Sequence, residues 1–591
     1  MDLLTSCLYV LGTGVRSRIH KQSVNHFQTL RNCREVQQQT LSRLMQLNGD
    51  SQFSQKHHLH TVNTPEQLAR QFPVSNYEVF RPYIEETKLG NHQAFLGRKN
   101  ELLMYSLSSG TTSDSKYIPI TKPFLDDYRH GWQMWGINAM YAHPKTQRLH
   151  IVGFTSDHDR YRTPGGTPCG NISGLVTAMQ KPIVQKLYSV PGILAKIKNP
   201  DVKQYASMRM AIADKYVGMV TTANPSTLIH LAKMANDHQE QLIRDIHDGT
   251  LSQELDVERE HRQRLKSIFS RKKPKRAREL RRIVEQTGEL YPKMYWPHMQ
   301  FLGVWCGGSV GAYVPQLREL YGNLPVRDHG LHASEGRMTL PVNDNCSEGI
   351  LEVTSHYFEF IPEDEHDSVN PIVLQAHELE QDKNYFILLT TASGLTRYDI
   401  CDVVKCVGFH GTTPKLRFLH KGAHISNVTG EKISESQVVD SVHETLNSLN
   451  LRVGHFTVAP IWGDPPSYRI LMEEQDIACP DLQSNLARQV DLKLKELNCE
   501  YKEKRETGRL QEMTCIPLPQ GTWHKFAGKR QSTVGGSMEQ YKHPCLSPKL
   551  DFISQLLEEY RKQELPDMPM PHFNANPQRQ INPSAGEKKA G

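Results

Sequence analysis

Apolar positions along the chain fall into two kinds of run. Phe27, Leu30, Cys33, Val36, Leu41 and Leu44 recur at near-helical spacing across residues 27 to 47, and Asn48-Gly49 then stops the pattern. That spacing predicts an opening helix. After it come short β-rich runs, LLMYSL (102 to 107), LHIVGF (149 to 154) and FLGVWC (301 to 306), separated by long polar stretches of helical character. Strands buried between helices are an α/β signature. Beyond about residue 350 the runs crowd together as ILEVT, YFEFI, NYFILLTT, DVVKCVGF and LRFLH, which predicts a mostly antiparallel β section. From Ile425 the order becomes helix (434 to 449), strand HFTVAPIW, strand YRILMEE, helix (481 to 498) and strand TCIPLP.

The expected fold class is therefore α/β. A large N-terminal α/β domain with a β-rich subdomain spans residues 1 to 424, and a smaller C-terminal α/β domain spans 425 to 565. Residues 566 to 591 are rich in Pro, Asn and Gln and poor in large apolar side chains, so a disordered tail is expected there.

A length of 591 residues supports this division, because it exceeds what one core ordinarily organises. The net charge of +6 is only a slight excess of 70 basic over 64 acidic residues and implies no nucleic acid by itself. The local run SRKKPKRARELRR is flanked by Glu258, Glu260, Glu279 and Glu285, carries apolar Leu265, Ile268, Leu280 and Ile283, and has Phe269 as its one interleaved aromatic. It reads as a solvated surface helix pair, not as a nucleic-acid face. Eleven scattered cysteines with no C-x-x-C pair argue against a disulfide framework and a thiolate zinc site. No stretch approaches the ~20 apolar residues of a membrane span. The N-terminal MDLLTSCLYVLGTGV lacks the basic start of a signal peptide. A cytoplasmic monomer with no membrane or nucleic-acid partner is expected.

The strongest chemical signal is LLMYSLSSGTTSDSKYIPIT, where an apolar strand enters a hydroxyl-rich loop that ends at Lys116. Its backbone N–H groups and hydroxyls are suited to cradle a polyphosphate, although a polar surface turn has the same composition. It is not a P-loop: Gly110 and Lys116 are correctly spaced, but Ser115 replaces the second glycine and Tyr117 the magnesium-binding hydroxyl. Gly307-Gly308-Ser309-Val310-Gly311 matches the nucleophile elbow G-x-S-x-G, yet no acid and histidine partners stand out. His57, His58 and His60 lack a nearby carboxylate or thiolate, and Gly12-x-Gly14 is only half a dinucleotide fingerprint.

The run YSLSSGTTSDSKYIPIT resembles the phosphate-loop motif of the adenylate-forming superfamily, and more closely that of the auxin-responsive acyl acid-amido synthetases. Further elements recur in that family's order: LGVWCGGSVGAYVPQL, GLHASEG, HYFEFIPE, TRYDICDVV, KGAHISNVTGEKISE and GTWHKFAGKRQSTVGGSMEQYKHPCL. The resemblance covers roughly residues 25 to 562. It implies an adenylate-forming, firefly luciferase-like architecture and a ligase that uses ATP and magnesium to join a carboxylic acid to an amino acid. Carried over position by position, it puts Ser108, Ser109 and Thr111 on the phosphates and Gly308 and Ser309 along the nucleotide. Ser334, Glu335 and Gly336 would line the nucleotide site, with Glu335 available to magnesium. Tyr357 and Asp402 would face the adenosine, Lys432 would sit at a domain hinge, and Lys542 would reach the α-phosphate. Such a reaction joins two anions, so positioning, magnesium and a compact lysine cation carry it.

The helix expected from PFLDDYRHGWQMWGINAMY matches the segment that lines the acid pocket, with Trp132 and Trp135 one turn apart on one side. Ordinary core packing would also account for these two rings. Two positions depart from the family pattern. Leu331, followed by His332, stands where a tyrosine usually meets adenine, and Cys401 replaces the glycine before Asp402. Two other readings share these residues: a nucleotide-binding homologue with impaired catalysis, and a ligase with a thiol acceptor.

Overall fold

The computed structural model describes residues 13–108, 116–252, 255, 259–307, 313–366, 368, 370–422, 425–426, 428–429, 431, 433–463, 465–534 and 543–564. The tail expected beyond residue 566 lies outside these. The chain divides into two compact units. The larger comprises Met1–His424, Ser434–His443 and Trp523–Cys545, and the smaller comprises Ile425–Ile433, Glu444–Thr522 and Leu546–Gly591. Two segments expected in the C-terminal domain, Ser434–His443 and Trp523–Cys545, thus group with the larger unit.

The opening helix differs from its expectation. Instead of one helix over 27 to 47 there are two, Thr13–Thr29 and Cys33–Asn48, the second ending where Asn48-Gly49 predicts. A distant hairpin turn causes the break. Thr412 donates from both its N–H (2.9 Å) and its Oγ1 (3.0 Å) to the Arg31 carbonyl, and its Oγ1 also accepts from Cys33 N–H at 3.0 Å. These bonds substitute for the helical ones at residues 31 to 33. Gly411, at φ +66, leaves room for the approach, since a Cβ there would lie 2.4 Å from the Arg31 oxygen.

That hairpin, Tyr398–His410 with Thr413–Lys421, is the centre of a seven-stranded sheet. From edge to edge the order is Thr339–Leu340, Glu348–Leu351, Thr413–Lys421, Tyr398–His410, Asn384–Thr390, Tyr357–Pro362 and Leu374–Gln375, and every pairing is antiparallel. The expected β section is present. A second sheet is parallel, in the order His150–Gly153, Val217–Thr222, Phe301–Val304, Val326–Asp328. Its inner strand VGMVTT is short and lies between helices Pro200–Ile212 and Pro225–Asp237, so its apolar run is difficult to separate from theirs. A third sheet carries Leu102–Ser108 between Lys116–Thr121 and Pro168–Gly170. The smaller unit holds the strands Phe456–Ile461, Ser467–Glu473 and Thr514–Leu518 with helix Pro480–Leu497.

The basic segment forms the helices Arg259–Phe269 and Pro274–Thr287. Some of its charge is structural. Arg276 Nε donates to the Ile212 carbonyl at 3.0 Å and Lys273 Nζ to that of Ala213 at 3.0 Å, placing two cations at the C-terminal end of helix Pro200–Ile212, where the helix dipole favours them.

Within the large sheet, Arg397 Nε donates to both Glu359 oxygens at 3.0 and 3.1 Å, and Nη1 donates to the Phe72 carbonyl at 2.6 Å. Both side chains are buried. Removing one partner strands a buried charge, so Glu359→Ala should lower the unfolding free energy by about 3–5 kcal/mol in urea titrations followed by fluorescence. Glu359→Gln keeps an acceptor for the guanidinium and should lose less.

Candidate active site

Strand Leu102–Ser108 and strand Lys116–Thr121 close the hydroxyl-rich loop at its base, where Ser108 pairs with Lys116. Lys116 Nζ donates to Tyr398 Oη at 3.2 Å and sits 5.6 and 5.8 Å from the ring centres of Tyr77 and Tyr398. Ser106, two residues before the loop, donates from its Oγ to Ser334 Oγ at 3.1 Å. Ser334 and Glu335 form the tip of a short hairpin, His332–Ala333 with Gly336–Arg337.

Glu335 is buried, which pushes its carboxyl upward, while Lys421 and Lys116 draw it down and Asp402 adds repulsion. Asp402 is buried and stands directly opposite Lys421 across the central hairpin, accepting from its Nζ at 2.6 Å. Lys421 also donates to the Ile400 carbonyl at 3.2 Å. Burial pulls this ammonium down, but Asp402 and Glu335 outweigh it and its pKa is raised, although the side chain is 35% exposed. Two carboxylates and two lysines from four chain segments therefore converge in the larger unit. Among the described residues Glu335 forms no salt bridge, and it meets Lys421 and Lys116 through space.

The sequence-derived residues divide accordingly. Ser334, Glu335 and Asp402 come together, and Gly336 adjoins them on the hairpin. Ser108 is located by its backbone alone. Ser109, Thr111, Gly308, Ser309, Lys432 and Lys542 lie outside the described residues. Tyr357 pairs with Thr390 inside the sheet; its hydroxyl is buried without a partner among the described residues, and the charges acting most strongly on it are Glu359 and Arg397, not the lysine–carboxylate cluster. Leu331 is buried, and the His332 ring meets Trp132 edge-on at 5.4 Å while its Nδ1 lies 2.8 Å from the Gly330 oxygen.

Trp132 and Trp135 lie on helix Lys122–Ala142 and touch edge-on at 5.5 Å. Trp135 Nε1 donates to the Asp328 carbonyl at 2.7 Å. The motifs assign no role to Tyr398 or Lys421, and they give Lys116 only as the end of the hydroxyl-rich loop. Lys421 heads KGAHISN and Tyr398 lies in TRYDICD, but only the fold sets Lys421 opposite Asp402 and Tyr398 against Lys116.

The fold is that of the acyl acid amido synthetases. The solved structure of GH3.15 acyl acid amido synthetase matches with a TM-score of 0.78 at 19% identity, covering 89% of this chain and 94% of that one. AtGH3.15, solved in complex with 2,4-DB, gives 0.78 at 18%, covering 91% and 96%. The family models for the GH3 family N-terminal, central and C-terminal domains match residues 25–326, 349–421 and 436–550 in turn. The chain belongs to the GH3 family. It is 22% identical over 571 residues to a jasmonoyl-L-amino acid synthetase (JAR4) of Nicotiana attenuata, covering 91% of this chain and 95% of the relative. It is 22% identical over 563 residues to an indole-3-acetic acid-amido synthetase (GH3.4) of Arabidopsis thaliana, covering 89% and 91%.

Cys401, where the family pattern has glycine, adopts φ +56, and its N–H donates to Asp399 Oδ1 at 2.7 Å. A β-carbon in this left-handed region costs roughly 1–2 kcal/mol. Cys401→Gly should therefore raise stability by up to about 1 kcal/mol after the added chain entropy of glycine is subtracted. Urea titration of the two proteins measures it, and a lower midpoint for the glycine variant would refute the strain.

Proposed function

We propose that this protein is an acyl acid-amido synthetase. It activates a carboxylic acid with ATP as an acyl-adenylate, releasing pyrophosphate, and then passes the acyl group to the amine of an amino acid, releasing AMP. The observation that carries this reading is the meeting of Glu335, Asp402, Lys421 and Lys116 at the base of the hydroxyl-rich loop. The names of the GH3 relatives, which couple an acid to an amino acid, support the amine acceptor over a thiol.

Each residue has a task in this chemistry. Ser108, Ser109 and Thr111 hold the phosphates, and Gly308 and Ser309 run along the nucleotide. Ser334 and Gly336 shape the wall beside it. Asp402 accepts from the ribose hydroxyls, held at a fixed angle by Lys421. Lys116 and Lys421 offset phosphate charge that would otherwise repel the attacking carboxylate. Lys432 acts at the hinge and Lys542 at the α-phosphate, where a compact cation suits the charge that grows as the acid attacks.

Magnesium fits the donor set. No three His, Cys, Asp or Glu side chains gather as a metal cage among the described residues. Magnesium at a nucleotide needs only one or two carboxylates, with phosphate and water completing its shell. Glu335, buried and without an ion pair among the described residues, supplies that carboxylate. Magnesium held there would supply positive charge against the phosphate oxygens.

No described helix is long and apolar enough to cross a membrane. We place the reaction in the cytoplasm, carried out by a monomer on small-molecule substrates.

With ATP, magnesium and a suitable acid, the protein should exchange labelled pyrophosphate into ATP, and adding amino acids should yield an amide and AMP. A broad acid screen giving only ADP and phosphate would sink this reading. Asp402→Ala leaves the ribose hydroxyls without their acceptor and should weaken ATP binding by about 1.5–3 kcal/mol, measured by titration calorimetry on protein whose melting curve is intact. Unchanged affinity would remove Asp402 from the nucleotide site.

A further inference from the structure

The hairpin whose tip holds Glu335 has a second set of side chains at its base. Arg337 pairs with His332 across it, and both lie against Trp132. The guanidinium carbon is 4.2 Å from the Trp132 ring centre, within cation–π range. Trp132 in turn meets His329 at 4.9 Å, and His329 Nε2 is 2.9 Å from Thr221 Oγ1. Gly131 admits the arginine stem to the helix surface, since a Cβ there would stand 2.7 Å from Arg337 Cδ.

Arg337 is 1% exposed, yet it forms no ion pair with a described residue. Its Nη2 donates to the His329 carbonyl, whereas Nε and Nη1 have no acceptor among the described residues. His329 is equally buried, and its Nδ1 has no partner among the described residues either. Buried polar groups are normally satisfied, and a buried guanidinium without a counter-anion is among the least favourable exceptions. Burial pulls the Arg337 pKa down to about 10, partly opposed by Tyr128, Glu352 and Asp328, so the side chain remains a cation at neutral pH. An anionic oxygen brought in by a ligand would meet these donors, and the indole offers the flat apolar surface beside them.

We propose that Arg337 selects the acid substrate: it receives a second carboxylate at the end of a flat ring acid remote from the carboxyl that is activated. The inference rests on reading helix Lys122–Ala142 as the wall of the acid pocket. Arg337 lies two residues beyond Glu335, with Gly336 between them, a rise of about 7 Å of backbone. That span suits a ring acid with one carboxylate toward the tip of the hairpin and the other at its base.

The test uses the full chain and three pairs of acids that differ only in the far carboxylate: benzoate and terephthalate, phenylacetate and 4-carboxyphenylacetate, cinnamate and 4-carboxycinnamate. Binding is read by calorimetry and, separately, pyrophosphate exchange is followed with each acid. For at least one pair the diacid should bind wild type ten-fold or more tighter than its partner. Arg337→Met should erase that preference while changing the monoacid by less than three-fold, and Arg337→Lys should restore part of it. In exchange assays the loss should fall on KM for the acid, not on kcat. Equal affinity within every pair, no binding by any of the six, or a preference that survives Arg337→Met would overturn the inference. The wild-type comparison decides even if Arg337→Met fails to fold. Diacid preference without exchange would reject adenylation while leaving Arg337 as a carboxylate receptor; exchange without preference would do the reverse.

Discussion

The geometry of the candidate site depends on one cross-strand pair. Asp402 and Lys421 face each other in the central hairpin of an antiparallel sheet, where directly opposed side chains are close neighbours and opposite charges attract. Register fixes the pair: a slip of one strand by one residue would put the two side chains on opposite faces of the sheet. Because Asp402 is buried, the attraction acts in a medium that screens charge far less than water does. Glu335 and Lys116 are then placed against an existing ion pair.

Local conformation is subordinate to this constraint. Cys401 holds a backbone angle that its side chain disfavours, and the sheet register shifts just beyond it, between Val403 and Val404. The strain lies at the residue next to Asp402 and is held there by the surrounding structure. The turn of the same hairpin reaches the N-terminal helices and splits them at Arg31. One hairpin thus fixes an ion pair at one end and a helix boundary at the other.

A second, shorter hairpin divides polar from aromatic chemistry. Its tip presents Ser334 and Glu335 to the charged cluster, and its base presents His332 and Arg337 to Trp132. Any change that tilts this hairpin would move both environments together.

Fold class and the order of strands beyond residue 350 followed from the sequence, because period and β-rich composition are local properties that packing reinforced. The motifs likewise indicated Ser334, Glu335 and Asp402, which carry recognisable neighbours in SEG and DICD. Tertiary structure decided the rest. The helix break at Arg31 arises from a turn almost 400 residues away, and the strand Val217–Thr222 gains its identity only between two parallel partners. Lys421 and Tyr398 are unremarkable as letters. They join the charged cluster when antiparallel register and burial set a lysine opposite a carboxylate and a phenol beside Lys116. Arg337 was hidden for the same reason: a sequence shows that an arginine is present, but only packing shows that it is buried with donors unmet.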